Sequence, residues 1–173
     1  MKKMIALILT IVLAAVNFSG CGTGPNLGFT YEEFGQMLQQ RIDDSDYGLE
    51  LSEWRYGFNN DGIGIYTCSL GLITLTCASE KTGPVTKISI QKKYTNQTLP
   101  HATQEFRFLA EQIYEICNPE FTDQEKNSFQ FHIINRMEKA FMGDFHYNQK
   151  NIEYYYSDEE FVNLILFSAS AEK

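Results

Sequence analysis

Between residues 49 and 94 apolar and polar side chains change places at almost every step, and no other stretch narrows the fold as much. Successive side chains on a strand point to opposite faces, so a period of two marks strands with one covered and one open face. Late in 49–58, Trp54, Tyr56 and Phe58 share a face opposite Glu53 and Arg55. In 72–79, Ile73, Leu75 and Cys77 oppose Thr74 and Thr76; in 85–94, Ile88 and Ile90 oppose Lys87, Ser89 and Gln91. Segment 63–70 completes the set. Asn59-Asn60-Asp61-Gly62 has the chemistry of a hairpin connection, and Gly83-Pro84 belongs to the next loop. Four consecutive antiparallel strands are expected. At Gly71 two readings stay open: a break between strands, or one long bulged strand.

Helical signals flank this block. Thr30-Tyr31-Glu32-Glu33 reads as a capping box, with Phe29 and Phe34 at the staple positions. Phe34, Met37, Leu38 and Ile42 follow at helical spacing, and Asp43-Asp44-Ser45-Asp46 ends the helix. A second helix is expected over 103–117, with Phe106, Leu109, Ile113 and Ile116 along one stripe and Asn118-Pro119 as the stop. Thr122-Asp123-Gln124-Glu125 is another capping box, before a helix whose buried face should hold Phe129, Ile133, Met137 and Phe141. Segments 152–156 and 161–167 read as a hairpin turning at Ser157-Asp158-Glu159. The expected fold class is α+β: a single antiparallel sheet in the order α-β-β-β-β-α-α-β-β, with helices packed on one face. That order resembles proteins built from repeated helix-plus-four-strand units, such as beta-lactamase inhibitor proteins and some small bacterial lipoproteins. The shared "FTYEE" and "FTDQE" do not mark a repeat by themselves, because capping boxes recur wherever helices begin.

The amino terminus has the layout of a secretory signal: Lys2 and Lys3, an apolar run over 5–16, then small residues. The run is shorter than the ~20 residues a spanning helix needs. Phe18-Ser19-Gly20-Cys21 resembles the lipobox of bacterial lipoproteins, with Phe18 where Leu is usual. The resemblance implies diacylglycerol on the Cys21 thiol and cleavage before Cys21. The organisation is then 1–20 signal peptide, 21–28 lipidated cysteine and short tether, and 29–173 one α+β domain. Fully extended, the tether spans only ~25 Å at about 3.5 Å per residue, which keeps the domain beside the bilayer.

Charge and motifs exclude more than they identify. The net charge of −8 becomes −10 once a signal carrying Lys2, Lys3 and no acid is removed, which excludes a general nucleic-acid binder. Of the remaining thiols, Cys68 and Cys77 lie on neighbouring expected strands, either bridged or as two small buried hydrophobes, and Cys117 is a third. The sequence contains no G-x-S-x-G, S-x-x-K, H-E-x-x-H or phosphate-cradling glycine run. No catalytic residue, metal site or cofactor is therefore expected. His101 precedes a helix, His132 lies on one, and His146 falls in a loop. Glu53, Asp144 and Glu153 could supply a glycosidase pair, but no spacing singles them out. Asp43 to Asp46 lacks the glycine and distal glutamate of a calcium loop.

"IEYYYS" is the one segment that suggests recognition. On a strand Tyr154 and Tyr156 face one way with Ile152, and Tyr155 faces the other beside Glu153. Tyrosines offer apolar area with a polar tip, so Tyr154, Tyr155 and Tyr156 are the candidate binding residues. The expectation is a lipid-anchored extracytoplasmic protein of the bacterial cell membrane that binds an envelope protein, peptide or glycan. The alternative is an envelope hydrolase with an acidic Asp/Glu site.

Overall fold

Each of the three described helices begins where a threonine hydroxyl caps it. In the computed structural model, which describes residues 25–80, 83–94, 101–159 and 163–172, the first helix is α1, Tyr31–Asp43. The Thr30 side chain accepts from the Glu33 amide, and the Glu33 carboxylate accepts from the Thr30 amide. Thr103 caps α2 (Gln104–Cys117) by accepting from the Phe106 amide, and Thr122 and Glu125 form a second reciprocal box before α3 (Asp123–Phe129). Each cap satisfies amides that lack intrahelical partners and contributes about 1 kcal/mol. The third helix continues through one π-helical turn, Gln130–Ile134, into a last α-helical turn, Asn135–Glu138.

Phe34, Leu38 and Ile42 of α1 are buried, but Met37 is exposed. At 100° per residue it sits roughly 100° round the helix from the centre of that stripe. Phe129, Ile133 and Met137 are buried as expected, and Phe141 is not. The helix stops at Glu138, Ala140 turns the chain at φ 53°, and the Phe141 ring lies outside under the Arg136 guanidinium at 5.0 Å.

Seven strands form one antiparallel sheet: β1 (Arg55–Phe58), β2 (Gly64–Leu70), β3 (Ile73–Ser79), β4 (Val85–Lys93), β5 (Gly143–Gln149), β6 (Ile152–Glu159) and β7 (Leu164–Ala171). Their spatial order is β1-β2-β3-β4-β7-β6-β5. Among the described residues one helix precedes the meander β1–β4 and two precede the meander β5–β7, and the two meanders meet along their last strands, β4 and β7. Gly71, at φ +59°, turns the chain so that β2 and β3 are separate strands. Three features differ from the sequence reading. Residues 49–54 are not strand, β5 is an additional strand that includes His146, and β6 runs through Ser157 and Asp158 to Glu159. Of the expected 161–167 strand, Phe161 and Val162 lie outside the described residues.

The register builds the core. Cys68, Leu75, Ile90, Phe167, Tyr156 and Phe145 form one row across β2, β3, β4, β7, β6 and β5. The row beside it runs Tyr66, Cys77, Ile88, Ala169, Tyr154, Tyr147. The apolar stripes of all three described helices join these rows in one buried cluster, and among the described residues no helix packs on the opposite face of the sheet. Gly35 on α1 lets the Trp54 indole close in; a Cβ there would lie 3.1 Å from Nε1. Among the described residues, no helix is long and apolar enough to cross a membrane.

Candidate functional site: the open face of the sheet

Hydroxyls line the uncovered face. Arg55, Thr67, Thr76, Ser89, Ser168 and Tyr155 form a continuous row from β1 to β6, exposed or half-buried except at Ser168, which its neighbours bury. Threonine suits this position because its branched carbon packs on the pleat while its hydroxyl stays available to water. At the β5–β6 end the row becomes aromatic and charged. Tyr155 pairs with His146, their rings 4.9 Å apart, and the Tyr155 hydroxyl donates to Asp144 Oδ1 at 2.8 Å. His146 Nδ1 lies 2.7 Å from Glu153 Oε1. The Tyr155 hydroxyl, with Ser157 second, holds the Asp144 carboxyl below its ordinary value, so it stays ionised at neutral pH. Burial, more than the neighbouring carboxylate, raises the Tyr155 phenol.

Period two separates the three tyrosines as expected, but only one can meet a partner. Tyr154 and Tyr156 are 0% exposed, so their assignment as binding residues is corrected. Tyr154 sits among Tyr114, Phe129 and Phe167, and its hydroxyl is bonded by Asn118 Nδ2. Burial pushes the phenols of both residues well above the usual tyrosine range. Tyr155 is half-buried on the open face.

The remaining candidates separate in space. Asp144 lies opposite Ser157 and Glu153 opposite Asn148, four residues apart along β6. At ~3.3 Å per residue that sets their backbone positions roughly 13 Å apart along the strands, and each carboxylate is held by a different member of the Tyr155–His146 pair. Glu53 precedes β1, at the other edge of the sheet. The Asp43 to Asp46 cluster makes helix-end bonds: Gln39 donates to Asp43, and the Ser45 hydroxyl donates to the Ile42 carbonyl. Among the described residues, no three His, Cys, Asp or Glu side chains converge as metal ligands. His132 stacks on Tyr147 at 5.5 Å. Cys68 and Cys77 are free and buried, two positions out of register on adjacent strands. That offset puts their Cα atoms roughly 8 Å apart, too far for a bridge. Cys21 and the signal segment lie outside the described residues.

One pair was not legible in the sequence. His101 Nδ1 lies 2.9 and 2.8 Å from the two Asp158 oxygens, with side chains 3% and 0% exposed. Tyr94 stacks on the imidazole at 3.8 Å and donates its hydroxyl to Asp158 at 3.1 Å. Assigning Asp158 to a turn hid the pair. A carboxylate on Nδ1 orients a histidine as it would a catalytic base, yet Nε2 is buried and has no hydrogen-bond partner among the described residues. The cluster ties the entrance of α2 to the end of β6.

Compared with protein-family models, with curated proteins and with solved structures, the chain matches none.

Proposed function

We propose that this chain is a lipid-anchored extracytoplasmic binding protein of the bacterial cell envelope. Acyl chains on Cys21 hold it to the membrane, and the open sheet face around Tyr155 contacts an envelope protein, peptide or glycan. The observation that carries the reading is the one-sided packing of helices, which leaves a face of hydroxyls ending in Tyr155 and His146. Two or more acyl chains anchor a protein stably where one holds it only marginally. A net charge of −10 after signal removal leaves those chains, not basic residues, as the membrane grip. The hydrolase alternative is less well supported, since Asp144 and Glu153 stand apart and His101 is sealed.

Two measurements test the proposal. Mass spectrometry of membrane-extracted protein should find acylated Cys21, and Cys21→Ser should lose membrane retention; normal retention of that variant refutes the anchor. Crosslinking in intact cells followed by purification should recover a partner, or cell-wall glycan, that Tyr155→Ala loses and Met37→Ala keeps. Equal recovery by both variants refutes the binding face.

A further inference from the structure

The same anchor gives the domain an orientation. The Leu27 amide donates to the Val85 carbonyl, and the Val85 amide donates to the Phe29 carbonyl, both at 2.8 Å. The chain therefore enters the fold at the first residue of β4. Val85 pairs with Ser79, Ser79 with Gly64, and Gly64 with Phe58, so the entry point and Phe58 lie on one row at one end of the sheet. Three strand spacings of ~4.8 Å separate them by roughly 14 Å. Six residue steps join Cys21 to Leu27, a reach of at most ~22 Å. An acylated Cys21 keeps this end of the sheet near the bilayer, while the β2–β3 turn lies at the other end.

That near end carries an exposed aromatic pair. Phe58 is 64% and Tyr56 50% exposed, with rings edge to face at 4.7 Å, and Tyr56 stacks back towards Tyr66 at 4.8 Å. Residues 56–60, Tyr-Gly-Phe-Asn-Asn, carry no charge and are flanked by one charge of each sign, Arg55 and Asp61, in a chain whose mature net charge is −10. An uncharged aromatic patch is what an acidic protein can lay against lipid headgroups without repulsion. Resting on the anchor reading above, we infer that Phe58 and Tyr56 dock onto the surface of the bilayer that holds Cys21, standing the strands on end. The contact stays at headgroup depth, because β1 is a sheet edge whose outward backbone groups need water. A weak contact suffices, since tethering makes it intramolecular.

The test uses the full lipidated chain in vesicles of phosphatidylethanolamine and phosphatidylglycerol, three to one, with brominated acyl chains. Trp54 is the only tryptophan. In a Trp54→Phe background, Phe58→Trp should be quenched several-fold more than Leu72→Trp, which replaces the 82% exposed residue of the β2–β3 turn. Equal quenching, with acylated Cys21 verified by mass spectrometry, overturns the docking and leaves the anchor standing. A chain without acyl groups overturns both. Because Trp54 packs on Gly35 and its replacement can loosen the fold, the unmodified chain is also labelled from a lipid with a photoactivatable headgroup. Adducts should concentrate at residues 56–60; adducts at Leu72, Phe141 and Met142 instead overturn the inference.

Discussion

Truncating Tyr154 to alanine should unfold the domain far more readily than truncating its neighbour Tyr155. Tyr154 is fully buried, 5.4 Å from both Tyr114 and Phe129 and 6.3 Å from Phe167 by ring centroids. Deleting a ring of this size from a packed core costs about 3–5 kcal/mol in lost transfer energy and cavity. Asn118 Nδ2 loses one acceptor but keeps the Tyr114 carbonyl at 2.9 Å, so no fully orphaned amide adds to the cost. At 2–4 °C per kcal/mol for a domain of this size, the melting temperature should fall by roughly 6–20 °C. Tyr155→Ala removes a half-buried ring and its bond to Asp144, at a cost of about 1 kcal/mol. Tyr154→Phe keeps the ring, loses the hydroxyl that Asn118 bonds, and should also cost about 1 kcal/mol. Urea unfolding of residues 29–173 checks all three, with an unchanged m-value showing that stability alone has moved. Equal losses for Tyr154→Ala and Tyr155→Ala would mean that both faces of β6 are covered, and the open face would cease to exist.

Three further outcomes follow from buried groups. Cys68 and Cys77 should react slowly with a thiol reagent in the native state, half-buried Cys117 faster than either, and all three rapidly in denaturant; a native disulfide between Cys68 and Cys77 would contradict the register of β2 and β3. Burial raises the Cys68 thiol to about 12 and pushes Cys77 and Cys117 up as well. Their folded values exceed the unfolded one, so this stability is complete below pH ~8.5 and is lost as pH rises toward the folded values, by up to ~1.4 kcal/mol per pH unit per thiol. Tyr114, also raised to about 12 by burial, adds to the loss above pH ~10; a flat urea midpoint from pH 7 to 10.5 would refute the sealed core. Asp158→Ala removes the carboxylate that His101 Nδ1 and the Tyr94 hydroxyl bond and should cost about 1–3 kcal/mol in urea unfolding, whereas no measurable loss would show the cluster to be energetically idle.

The sequence made the helix starts and the central strands legible because their signals are local. A threonine three residues before a glutamate caps a helix through its own side chain, and Ile73, Leu75 and Cys77 can share a face only if 73–79 is extended. Strand β5 escaped because Gly, Asp, His and Asn are weak strand formers, although Phe145 and Tyr147 alternate within it. β6 read too short for a related reason: Ser157 and Asp158 look like turn residues, and only the distant His101 and Tyr94 explain a buried aspartate there. The π-helical turn left no mark, because Phe129, Ile133 and Met137 repeat every four residues just as Phe34, Leu38 and Ile42 do in the ordinary helix α1. The open face was legible only as an alternative at Tyr155, since which side of a sheet the helices cover is a tertiary fact.

The seam between the two meanders gives the fold an order of assembly. Every other strand pairing joins neighbours in the chain and closes a short loop, whereas Ile90 and Phe167 must meet across two helices and two strands. Closing a loop that long costs entropy before any contact repays it, so the two halves of the sheet can each zip up from their own hairpins well before they join. The β4–β7 junction is then the slow, late step of folding, and a chain halted there exposes two raw sheet edges at once. That pause is the moment at which this protein is most open to pairing with the wrong strand.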